Sequence, residues 1–501
     1  GDEGENDVIN AHFYFYDAAG NFVLKADRWT GGNTGSNENV EIIGDNTVVL
    51  ENLNGKNYPT WMVTILNQPE DFTYGRTLDE MGKIVLDSWD SGNKNGRFIM
   101  TTSSYFGDDN KDAANSGWRY FATKLNENNF YQQTPEQIPV EDKDRVQVYV
   151  ERLAVRVGVD MKNLANEKGE NQYTDTETGK KYDIYRIDAS VAGEDNPSTG
   201  NGTEQNPGAA ATKLYVAVTG WDLNTTAKRT NLMKDLSDWS ATTSFGTPDW
   251  NWNNADYHRS YWGKSYNYGL SGAQLRETFD YVTYEDLKNE FNTGVAYCNE
   301  STNEAENIGQ DGAVVPANTT SVLLKATVCD KDGNAVELVD YQGIKFLKSQ
   351  FVTYVLNARK STLQYYTRKV SSTDPDGKPL YEYTQISPDE VEVVAAGNGT
   401  GSVKIAVKKG VSLYVLGDPV ENEGHVTYPD AVLADNAVVN TALARATDNN
   451  KAVCYTDGAM YYPVAIEHLN NPSTSESAIL DAQYGVVRNH CYVVTINQVK
   501  A

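Results

Sequence analysis

The chain consists of short apolar or alternating runs that are separated by clusters of Gly, Asn and Asp. Residues 11–17 (AHFYFYD) are followed by the turn residues 19–21 (AGN) and a second run at 22–25. Two such runs around a short turn are typical of a β-hairpin. Similar runs recur, for example at residues 61–66 (WMVTIL) and 491–499 (CYVVTINQV). This pattern predicts a mainly β chain of antiparallel sandwiches with a few short surface helices.

The longest alternating run lies at residues 145–159 (RVQVYVERLAVRVGV). Its apolar residues occupy even positions up to Val150 and odd positions from Leu153 onward. Side chains alternate strictly between the two faces of a strand, so a change of parity needs an extra residue. We therefore expect a bulge or bend near residues 151–152.

Charge and length limit the class of protein. The 501 residues include 43 Lys or Arg and 69 Asp or Glu, which gives a formal net charge of -26. A charge of this sign disfavours a nucleic-acid backbone or an anionic lipid surface as a partner. The sequence contains no apolar run of ~18 residues, so we expect no membrane span. The length exceeds what one hydrophobic core usually holds, which indicates two or three domains.

Three segments have the spacing of helices. Residues 77–80 (TLDE) match a capping box, and apolar residues follow at helical intervals as far as Trp89. Residues 283–291 and 343–357 show a similar pattern. We expect a short helix in each segment.

The cysteines leave two interpretations open. No pair has the spacing of metal ligands, so either two disulfides form or four free thiols are buried in strands. The four residues are Cys298, Cys329, Cys454 and Cys491.

One segment resembles the start of a calcium-binding loop. Residues 108–112 (DDNKD) have the acidic spacing, but Ala113 occupies the glycine position and Arg119 the position of the bidentate acid. The EF-hand pattern therefore fails, while a looser calcium site stays open.

The sequence contains no recognisable catalytic motif. The five histidines form no HExxH pair, and the chain has no CxxC, no G-x-S-x-G and no phosphate-binding glycine loop. Nothing singles out one pair of acids for glycoside hydrolysis. We predict a protein that is not an enzyme and that has no catalytic residues, no cofactor and no metal.

An aromatic segment at residues 239–267 allows two interpretations. Its side chains could stack on sugars, because a tyrosine or tryptophan ring has an apolar face and a polar edge. Alternatively, they pack as part of the protein body, which is the interpretation that we favour. The candidates are Tyr257, Tyr261, Trp262 and Tyr266.

Two segments near the C-terminus resemble the signature of the Bacteroidia-type fimbrillins, the type V pilins. They are residues 454–468 (CYTDGAMYYPVAIEH) and 484–496 (YGVVRNHCYVVTI). Residues 148–159, which include Arg152, and residues 219–225 (TGWDLNT) are similar to the strands that close the first domain in this family. Within the family, the combination is most similar to shaft subunits of minor fimbriae.

The resemblance implies two tandem transthyretin-like β-sandwich domains, which we place at residues 1–230 and 231–501. It also implies an exported lipoprotein precursor that a protease matures, and a fimbrium anchored at the outer membrane. Subunits of this family insert a donor strand into the groove of a neighbouring copy. Expected partners are copies of the chain, accessory anchor and tip subunits, and host or bacterial receptors.

Specific residues follow from that resemblance. Gly1 is the expected processing site, since residues 1–7 (GDEGEND) contain no apolar leader and the first strand follows directly. The C-terminal strand near the donor segment would present Tyr492, Val494 and Ile496. Candidates for the polymerisation groove, which could equally be ordinary core residues, are Phe13, Phe15, Val148, Val150, Leu153 and Val155.

Two other functions compete with a fimbrial subunit. A surface β-sandwich that binds glycans without polymerising would need an exposed aromatic platform. A secreted glycoside hydrolase would need two acids at a fixed separation across a cleft.

Overall fold

A computed structural model gives the structure of the protein. It describes residues 5, 8–29, 40–43, 47–50, 58–87, 98–103, 121–130, 146, 148–191, 212–235, 262–397, 401–422, 424–446, 452–469, 479–481 and 483–500.

The described part of the chain is mainly β, and most strands pair antiparallel. In chain order, the strands are β1 (Asn10–Tyr16), β2 (Phe22–Trp29), β3 (Val40–Ile43), β4 (Thr47–Leu50), β5 (Trp61–Leu66), β6 (Val85–Leu86), β7 (Met100–Thr102), β8 (Thr123–Lys124), β9 (Val150–Arg152), β10 (Ala154–Asp160), β11 (Lys168–Thr174), β12 (Lys181–Val191), β13 (Thr212–Asn224), β14 (Thr226–Ala227), β15 (Thr230–Asn231), β16 (Phe279–Asp280), β17 (Val295–Asn299), β18 (Gly309–Gln310), β19 (Ala313–Val314), β20 (Ser321–Cys329), β21 (Leu338–Tyr341), β22 (Ile344–Leu347), β23 (Tyr366–Thr373), β24 (Pro379–Gln385), β25 (Val391–Ala395), β26 (Ser402–Val407), β27 (Tyr414–Val415), β28 (Val420–Asn422), β29 (His425–Thr427), β30 (Val432–Leu433), β31 (Ala452–Tyr455), β32 (Ala459–Ala465) and β33 (Cys491–Thr495). The mainly β class that the sequence predicts is confirmed.

Short helices connect these strands. The α-helices are α1 (Leu78–Met81), α2 (Gly272–Glu277), α3 (Ala305–Ile308), α4 (Lys348–Ala358) and α5 (Asn436–Ala446). Single 3₁₀ turns lie at Glu127–Asn129, Tyr284–Asp286, Pro388–Glu390 and Thr456–Gly458. None of the helices in these ranges is long and apolar enough to cross a membrane.

The chain divides into two compact units, and each unit is assembled from three separate segments. Unit 1 contains Gly1–Lys162, Gly220–Leu324 and Pro463–Thr495. Unit 2 contains Asn163–Thr219, Lys325–Tyr462 and Ile496–Ala501. This division differs from the two continuous domains at 1–230 and 231–501 that we expected from the sequence.

The largest sheet of unit 1 has the strand order β2-β1-β5-β7-β9, and β8 also pairs with β5. The predicted hairpin is confirmed: β1 pairs antiparallel with β2, and Phe13 stands opposite Ala26. On its other side, β1 pairs antiparallel with β5 from Ala11 to Tyr16. The central strand therefore has both of its backbone edges satisfied within the chain.

A second sheet of unit 1 has the order β17-β10-β33. The run at residues 145–159 divides at Leu153, because β9 joins β7 in the first sheet whereas β10 joins β17 and β33. The Leu153 amide donates to Ile99 O (3.0 Å) and so still follows the first sheet. The predicted bend near residues 151–152 is confirmed, and it transfers the chain from one sheet to another.

Unit 2 contains a five-stranded sheet of order β22-β21-β31-β26-β25. Helices α4 and α5 pack on it, and the core between them includes Phe351 and Val355 from α4 and Leu443 from α5. A four-stranded sheet, β24-β23-β27-β30, adjoins the same core through Leu413 and Leu363. A further five-stranded sheet has the order β11-β12-β13-β20-β32.

The three predicted helices are shorter than expected. Helix α1 is a single turn with Gly82 as its C-cap, and β6 then pairs with β15 instead of continuing the helix. The 283–291 segment forms only the turn Tyr284–Asp286. In the 343–357 segment, β22 precedes α4, so the apolar residue Ile344 belongs to a strand.

Candidate strand-acceptor site

An apolar face covers one side of the β2-β1-β5 sheet in unit 1. Alternate residues of β1 place Phe13 and Phe15 on this face, and the opposite positions on the neighbouring strands contribute Leu24 and Met62. We call the full set the acceptor face. Its members are Phe13, Phe15, Leu24, Ala26, Met62, Leu125, Phe130, Val146 and Val148.

Burial varies across the acceptor face. Phe15 (6% exposed) and Ala26 (1%) are core residues, whereas Phe13, Leu24, Val146 and Val148 are only partly buried. Partly buried apolar side chains keep solvent-accessible area that a further strand could cover, at roughly 25 cal/mol for each Å² removed from water. The acceptor face therefore retains capacity for additional packing.

The opposite side of the same sheet is closed. Tyr14 and Tyr16 from β1 pack there with Val63, Leu78 and Met81, all of which are at most 1% exposed. The Tyr16 hydroxyl donates to Gly75 O (2.8 Å), and burial raises the pKa of this phenol above its ordinary value. The packing on this closed side holds the strands in register. Any additional strand would therefore pack against the acceptor face.

Within the part of the chain that the structure describes, the outer edge of β2 is paired only at its start. Asn21 bridges Thr77, and the Phe22 amide donates to Arg76 O (2.9 Å). From Val23 onward, β2 is an edge strand of the sheet among the described residues, and Val23 is 38% exposed. An edge strand offers unpaired N–H and C=O groups that can receive another strand.

Charged groups line the same strand on the side of Tyr14. Asp27 Oδ1 lies 2.7 Å from His12 Nδ1, and Asp27 Oδ2 lies 3.6 Å from Lys25 Nζ. The strand thus presents apolar residues to the acceptor face and a polar pair to the other side. This alternation fixes which face of an added strand must be apolar.

The structure brings together three of the six predicted groove residues, namely Phe13, Phe15 and Val148. Leu153 is 1% exposed and belongs to the closed side of the sheet. Val150 lies on β9 opposite Thr102, and Val155 is fully buried on β10 in the second sheet. The six residues therefore do not form one surface, and their role in a groove stays a prediction.

The predicted C-terminal strand is integrated into unit 1. Strand β33 pairs in parallel with β10, and Tyr492 stands opposite Val157. The Tyr492 hydroxyl accepts from the Val487 amide (3.0 Å) and lies 2.7 Å from His468 Nδ1. Val494 is half-buried and Ile496 is 7% exposed, whereas Val493, which lies between Tyr492 and Val494, is 61% exposed. This strand would have to leave β10 before it could serve another copy.

The V-R-N segment of the resemblance forms a buried polar anchor in unit 1. Arg488 Nε donates to Glu300 Oε1 (3.1 Å), and the Arg488 amide donates to Glu300 Oε2 (3.1 Å). The guanidinium also donates to the carbonyls of Asn231 (2.7 Å) and Leu232 (3.2 Å). Charge-assisted bonds of this kind hold three separate chain segments at fixed positions.

Asn489 extends this anchor to the bend between β9 and β10. It adopts a positive φ of 59°, its amide donates to Ala154 O (2.9 Å), and its side-chain oxygen accepts from the Arg152 amide (3.4 Å). Asparagine tolerates this backbone region better than most residues. The motif residues therefore serve the join between the two sheets of unit 1.

His490 completes the same cluster. Its Nδ1 lies 2.8 Å from Arg488 O, and its ring centroid lies 5.2 Å from that of His468. Burial lowers the pKa of His490 below its ordinary value, and the hydrogen bond to Arg488 O opposes this shift. A second buried ion pair, between Lys234 Nζ and Glu151 Oε2 (2.6 Å), also acts on His490. Lys234 lowers the pKa of His490, and Glu151 raises it.

Glu5 makes contacts with β10 and β17 that the sequence did not indicate. It is 7% exposed, and its carboxylate binds Arg156 Nε (3.0 Å) and the hydroxyl of Tyr297. Arg152 Nε donates to Glu5 O (2.9 Å). The residue ahead of β1 is thus fixed on the surface of β10 and β17. Tyr297 has a pKa raised to about 12, chiefly by burial and then by the bond to Glu5.

Several predicted sites lie outside the described residues, and two of the aromatic candidates pack within the protein body. Gly1, Tyr257 and Tyr261 lie outside the described residues, as does the 108–112 segment. Trp262 is completely buried, and the Tyr266 hydroxyl donates to Thr278 O (2.8 Å), which agrees with a packing role. The described residues contain no group of three or more His, Cys, Asp or Glu side chains that could hold a metal.

All four cysteines are free and lie in strands. Cys298, Cys329 and Cys454 are buried, and Cys491 is exposed on β33. Burial raises the pKa of Cys298 and of Cys329 to about 12, which keeps these thiols protonated.

Sequence reasoning missed part of the acceptor face and the partners of the polar anchor. Leu24 and Ala26 alternate with Lys25 and Asp27, and this period-two signal could have identified them, whereas Met62 lies in the nearly continuous apolar run 61–66. Nothing local in the sequence could have paired Arg488 with Glu300, because 188 positions separate them.

Comparison with known proteins gives only distant matches. No protein-family model matches the chain, and no curated protein matches it at a significant level. Thirteen solved chains match, among them two putative cell adhesion proteins and a fimbrial assembly protein, all from Parabacteroides distasonis ATCC 8503.

The three matches have low scores. The first adhesion protein is 13% identical with a TM-score of 0.28, over 65% of this chain and 68% of that chain. The second is 10% identical with a TM-score of 0.27, over 65% and 75%. The fimbrial assembly protein is 8% identical with a TM-score of 0.25, over 86% and 93%. TM-scores this far below 0.5 do not establish a common fold, so the proposal below rests on the residues of this chain.

Proposed function

We propose that the chain is a structural subunit of a bacterial surface fimbria that polymerises by donor-strand insertion and supports adhesion and biofilm formation. Its place would be that of a shaft subunit in a minor fimbria of the kind found in Porphyromonas-type bacteria. The neighbouring parts would be further copies of the chain, accessory anchor and tip subunits, and receptors on host or bacterial surfaces. The fimbrium would be anchored at the outer membrane after export as a lipoprotein precursor.

The observation that carries this proposal is the edge of β2 beside the acceptor face. An eight-residue strand ends the sheet, and beyond Phe22 its outer side pairs with no other described strand. Leu24 and Phe13, which are partly buried, lie next to this edge. An added strand would find backbone groups for register and an apolar surface for alternate side chains.

The energy of such a joint comes from two sources. Each new backbone hydrogen bond contributes about 1 kcal/mol net, and each apolar side chain that becomes buried contributes about 1.5–3 kcal/mol. A strand of six or seven residues would make several contacts of each kind. Because neither source depends on charge, the joint is compatible with a chain whose net charge is -26.

The net charge has a consequence of its own for a filament. Every copy would repeat the same excess of carboxylates along the shaft. Like-charged shafts repel one another at distances up to the Debye length, about 8 Å at physiological ionic strength. Subunits would therefore associate end to end through strands without side-by-side aggregation.

The proposal is tested on surface filaments from a bacterium that produces the chain. We expect immunogold electron microscopy with an antibody against unit 2 to label the filaments along their length. A deletion strain should lose these filaments and recover them when the gene is restored. Filaments that persist unlabelled in both strains would overturn the structural role.

Hydrogen exchange locates the joint. In the filament, we expect the amides of residues 23–28 that point away from β1 to exchange more slowly than in the monomer, because the added strand would bond to them. Amides of β1 serve as the internal control, since this strand is paired on both sides within the chain. Equal exchange of β2 in filament and monomer would place the joint elsewhere.

A further inference from the structure

A tyrosine-rich surface lies on one face of the four-stranded sheet in unit 2. Tyr366 and Arg368 of β23 share a face with Tyr383 of β24, because Arg368 stands directly opposite Tyr383. Tyr366 stands opposite Tyr414 of β27, which places Tyr414 on the same face. We call this the Tyr–Arg face. Its members are Tyr366, Arg368, Val370, Tyr381, Tyr383, Tyr414, Tyr428 and Leu433.

Arg368 is held between two rings of this face. Its guanidinium carbon lies 4.2 Å from the ring centroid of Tyr381 and 4.1 Å from that of Tyr414. Cation–π contacts of this kind fix the position of the guanidinium without using its N–H groups. Arg368 is exposed, and its guanidinium forms no ion pair and no hydrogen bond with another described residue.

The phenol groups around Arg368 are also available. The rings of Tyr414 and Tyr428 stand almost perpendicular to the ring of Tyr383, with centroids 6.2 Å and 5.5 Å from it. The hydroxyls of Tyr381, Tyr383, Tyr414 and Tyr428 make no hydrogen bond to another described residue. At the margins, Val370 is 59% exposed and Leu433 is 64% exposed. The surface combines apolar rings, free hydroxyls and one cation.

We propose that the Tyr–Arg face binds a saccharide that carries a carboxylate. A guanidinium with free N–H groups matches a carboxylate bidentately. Tyrosine rings offer an apolar surface to the C–H groups of a sugar ring, and their hydroxyls can bond to the sugar hydroxyls. The sugar would be a sialic acid or a hexuronic acid, since both place a carboxylate next to a pyranose ring.

The size of the face favours a small ligand over a protein. The face comprises eight side chains, whereas a stable protein interface engages about 20–30 residues on each side. One or two sugar rings are sufficient to cover a surface of this size.

Charge favours an acidic ligand over a neutral one. Arg368 has no acidic partner among the described residues, and the chain carries a net charge of -26. Distant carboxylates of the chain are screened beyond about 8–10 Å at physiological ionic strength, so the contact with Arg368 decides the local preference. We expect binding to weaken as the salt concentration rises.

The reverse face of the same hairpin supplies a matched control. Lys369 follows Arg368 in β23 and therefore points to the other side, where its Nζ lies 3.0 Å from Glu382 Oε2. Arg368→Met and Lys369→Met each remove one cation and keep an apolar side chain. Only the first changes the Tyr–Arg face.

The test uses the purified full chain as a monomer, so it does not depend on filament assembly. Saturation-transfer NMR and titration calorimetry are carried out with 3′-sialyllactose, with a glucuronate-containing disaccharide and with lactose as the neutral match. We expect at least one acidic saccharide to bind and lactose to bind about tenfold or more weakly. The two acidic arms distinguish the two sources of the carboxylate.

Two variants and a peptide probe test whether the Tyr–Arg face binds an acidic saccharide or an acidic peptide. We expect Arg368→Met to weaken binding of the acidic saccharide about tenfold to a hundredfold, and Lys369→Met to leave it unchanged. Circular dichroism verifies that both variants are folded. Equal binding of lactose, an unaffected Arg368→Met variant, or no saccharide binding at millimolar concentration would overturn the proposal. Binding of a hexaglutamate peptide alone, lost in Arg368→Met, would also overturn it, in favour of an acidic peptide.

Discussion

Arg488 Nε lies 3.1 Å from Glu300 Oε1, and both side chains are only 1% exposed. The same arginine donates to the carbonyls of Asn231 and Leu232, so one guanidinium links β15, the end of β17 and the segment before β33. A buried pair of this kind costs desolvation of both ions, and its hydrogen bonds offset that cost. Its main effect is to specify which segments meet, and this explains why the V-R-N residues sit at the join of two sheets.

Removal of one member of this pair should destabilise unit 1. In Arg488→Met, the Glu300 carboxylate stays buried without its cation, and we expect a loss of about 3–5 kcal/mol. Chemical denaturation, with hydrogen exchange of unit 1 peptides as the readout, measures the change. Arg276→Met is the matched control, because Arg276 is exposed on α2 in the same unit.

The double variant Arg488→Met/Glu300→Gln separates charge from packing. We expect it to be more stable than Arg488→Met alone, because no buried charge is left without a partner. The losses in unfolding free energy of Arg488→Met and Glu300→Gln are measured separately as well. If the loss in the double variant equals their sum, the two side chains do not interact as the geometry indicates.

The stability of unit 1 should fall as the medium becomes acidic, in part through His490. Burial depresses the pKa of His490 in the folded protein, so the unfolded chain binds a proton first. The stabilisation from neutral His490 is fully present above about pH 6.5. It is lost progressively as the pH falls from there through the folded pKa. His490→Asn should show a smaller decrease in unfolding free energy between pH 7.5 and pH 5.5 than the unaltered chain. An identical pH dependence in both proteins would contradict this assignment.

Gly485 should tolerate no side chain. It has a φ of 127°, and a Cβ atom there would lie 2.6 Å from Ser301 O, next to the bridge between Ser301 and Val486. We expect Gly485→Ala to destabilise unit 1 by about 2–3 kcal/mol. Gly269→Ala is the control, because Gly269 also has a positive φ (80°) but a Cβ atom there meets nothing within 4 Å. The difference in midpoint of thermal unfolding between the two variants reports the clash together with the additional strain of a φ of 127°.

Local patterns predicted the strands well and their partners poorly. The hairpin at residues 11–25 was predictable because its turn and its period-two alternation lie within fifteen residues. The parity change before Leu153 correctly indicated a bend, yet it could not show that β10 would join β33 in parallel. Parallel pairing with a strand more than 300 residues away leaves no local signal.

The helix predictions were too long for a related reason. Val85 has helical spacing from Leu78, but β6 pairs with Thr230 and Asn231, and this tertiary contact overrides the local preference. For the site, the sequence grouped six residues as candidates for one groove, and the structure places three of them, Phe13, Phe15 and Val148, on the acceptor face. It could not assign Leu153 to the opposite side, because that position depends on the bend before Leu153 and on the pairing of its amide with Ile99 O.

Charge substitutions in β1 and β2 should separate acceptor positions from core positions. Phe13 is partly buried on the acceptor face and Phe15 is 6% exposed. We therefore expect Phe13→Glu to fold and to fail to enter filaments, whereas Phe15→Glu should unfold unit 1 at a cost of several kcal/mol. Val23→Glu, at the β2 edge, should fold normally and also fail to assemble, because its carboxylate would lose solvent where the added strand pairs with β2. Val438→Glu carries the same substitution on α5, where Val438 is 58% exposed, and should assemble normally. Immunogold labelling of filaments in strains that produce each variant measures incorporation, and circular dichroism measures folding. Incorporation of Val23→Glu and Phe13→Glu at the level of Val438→Glu would show that β2 and the acceptor face do not form the joint.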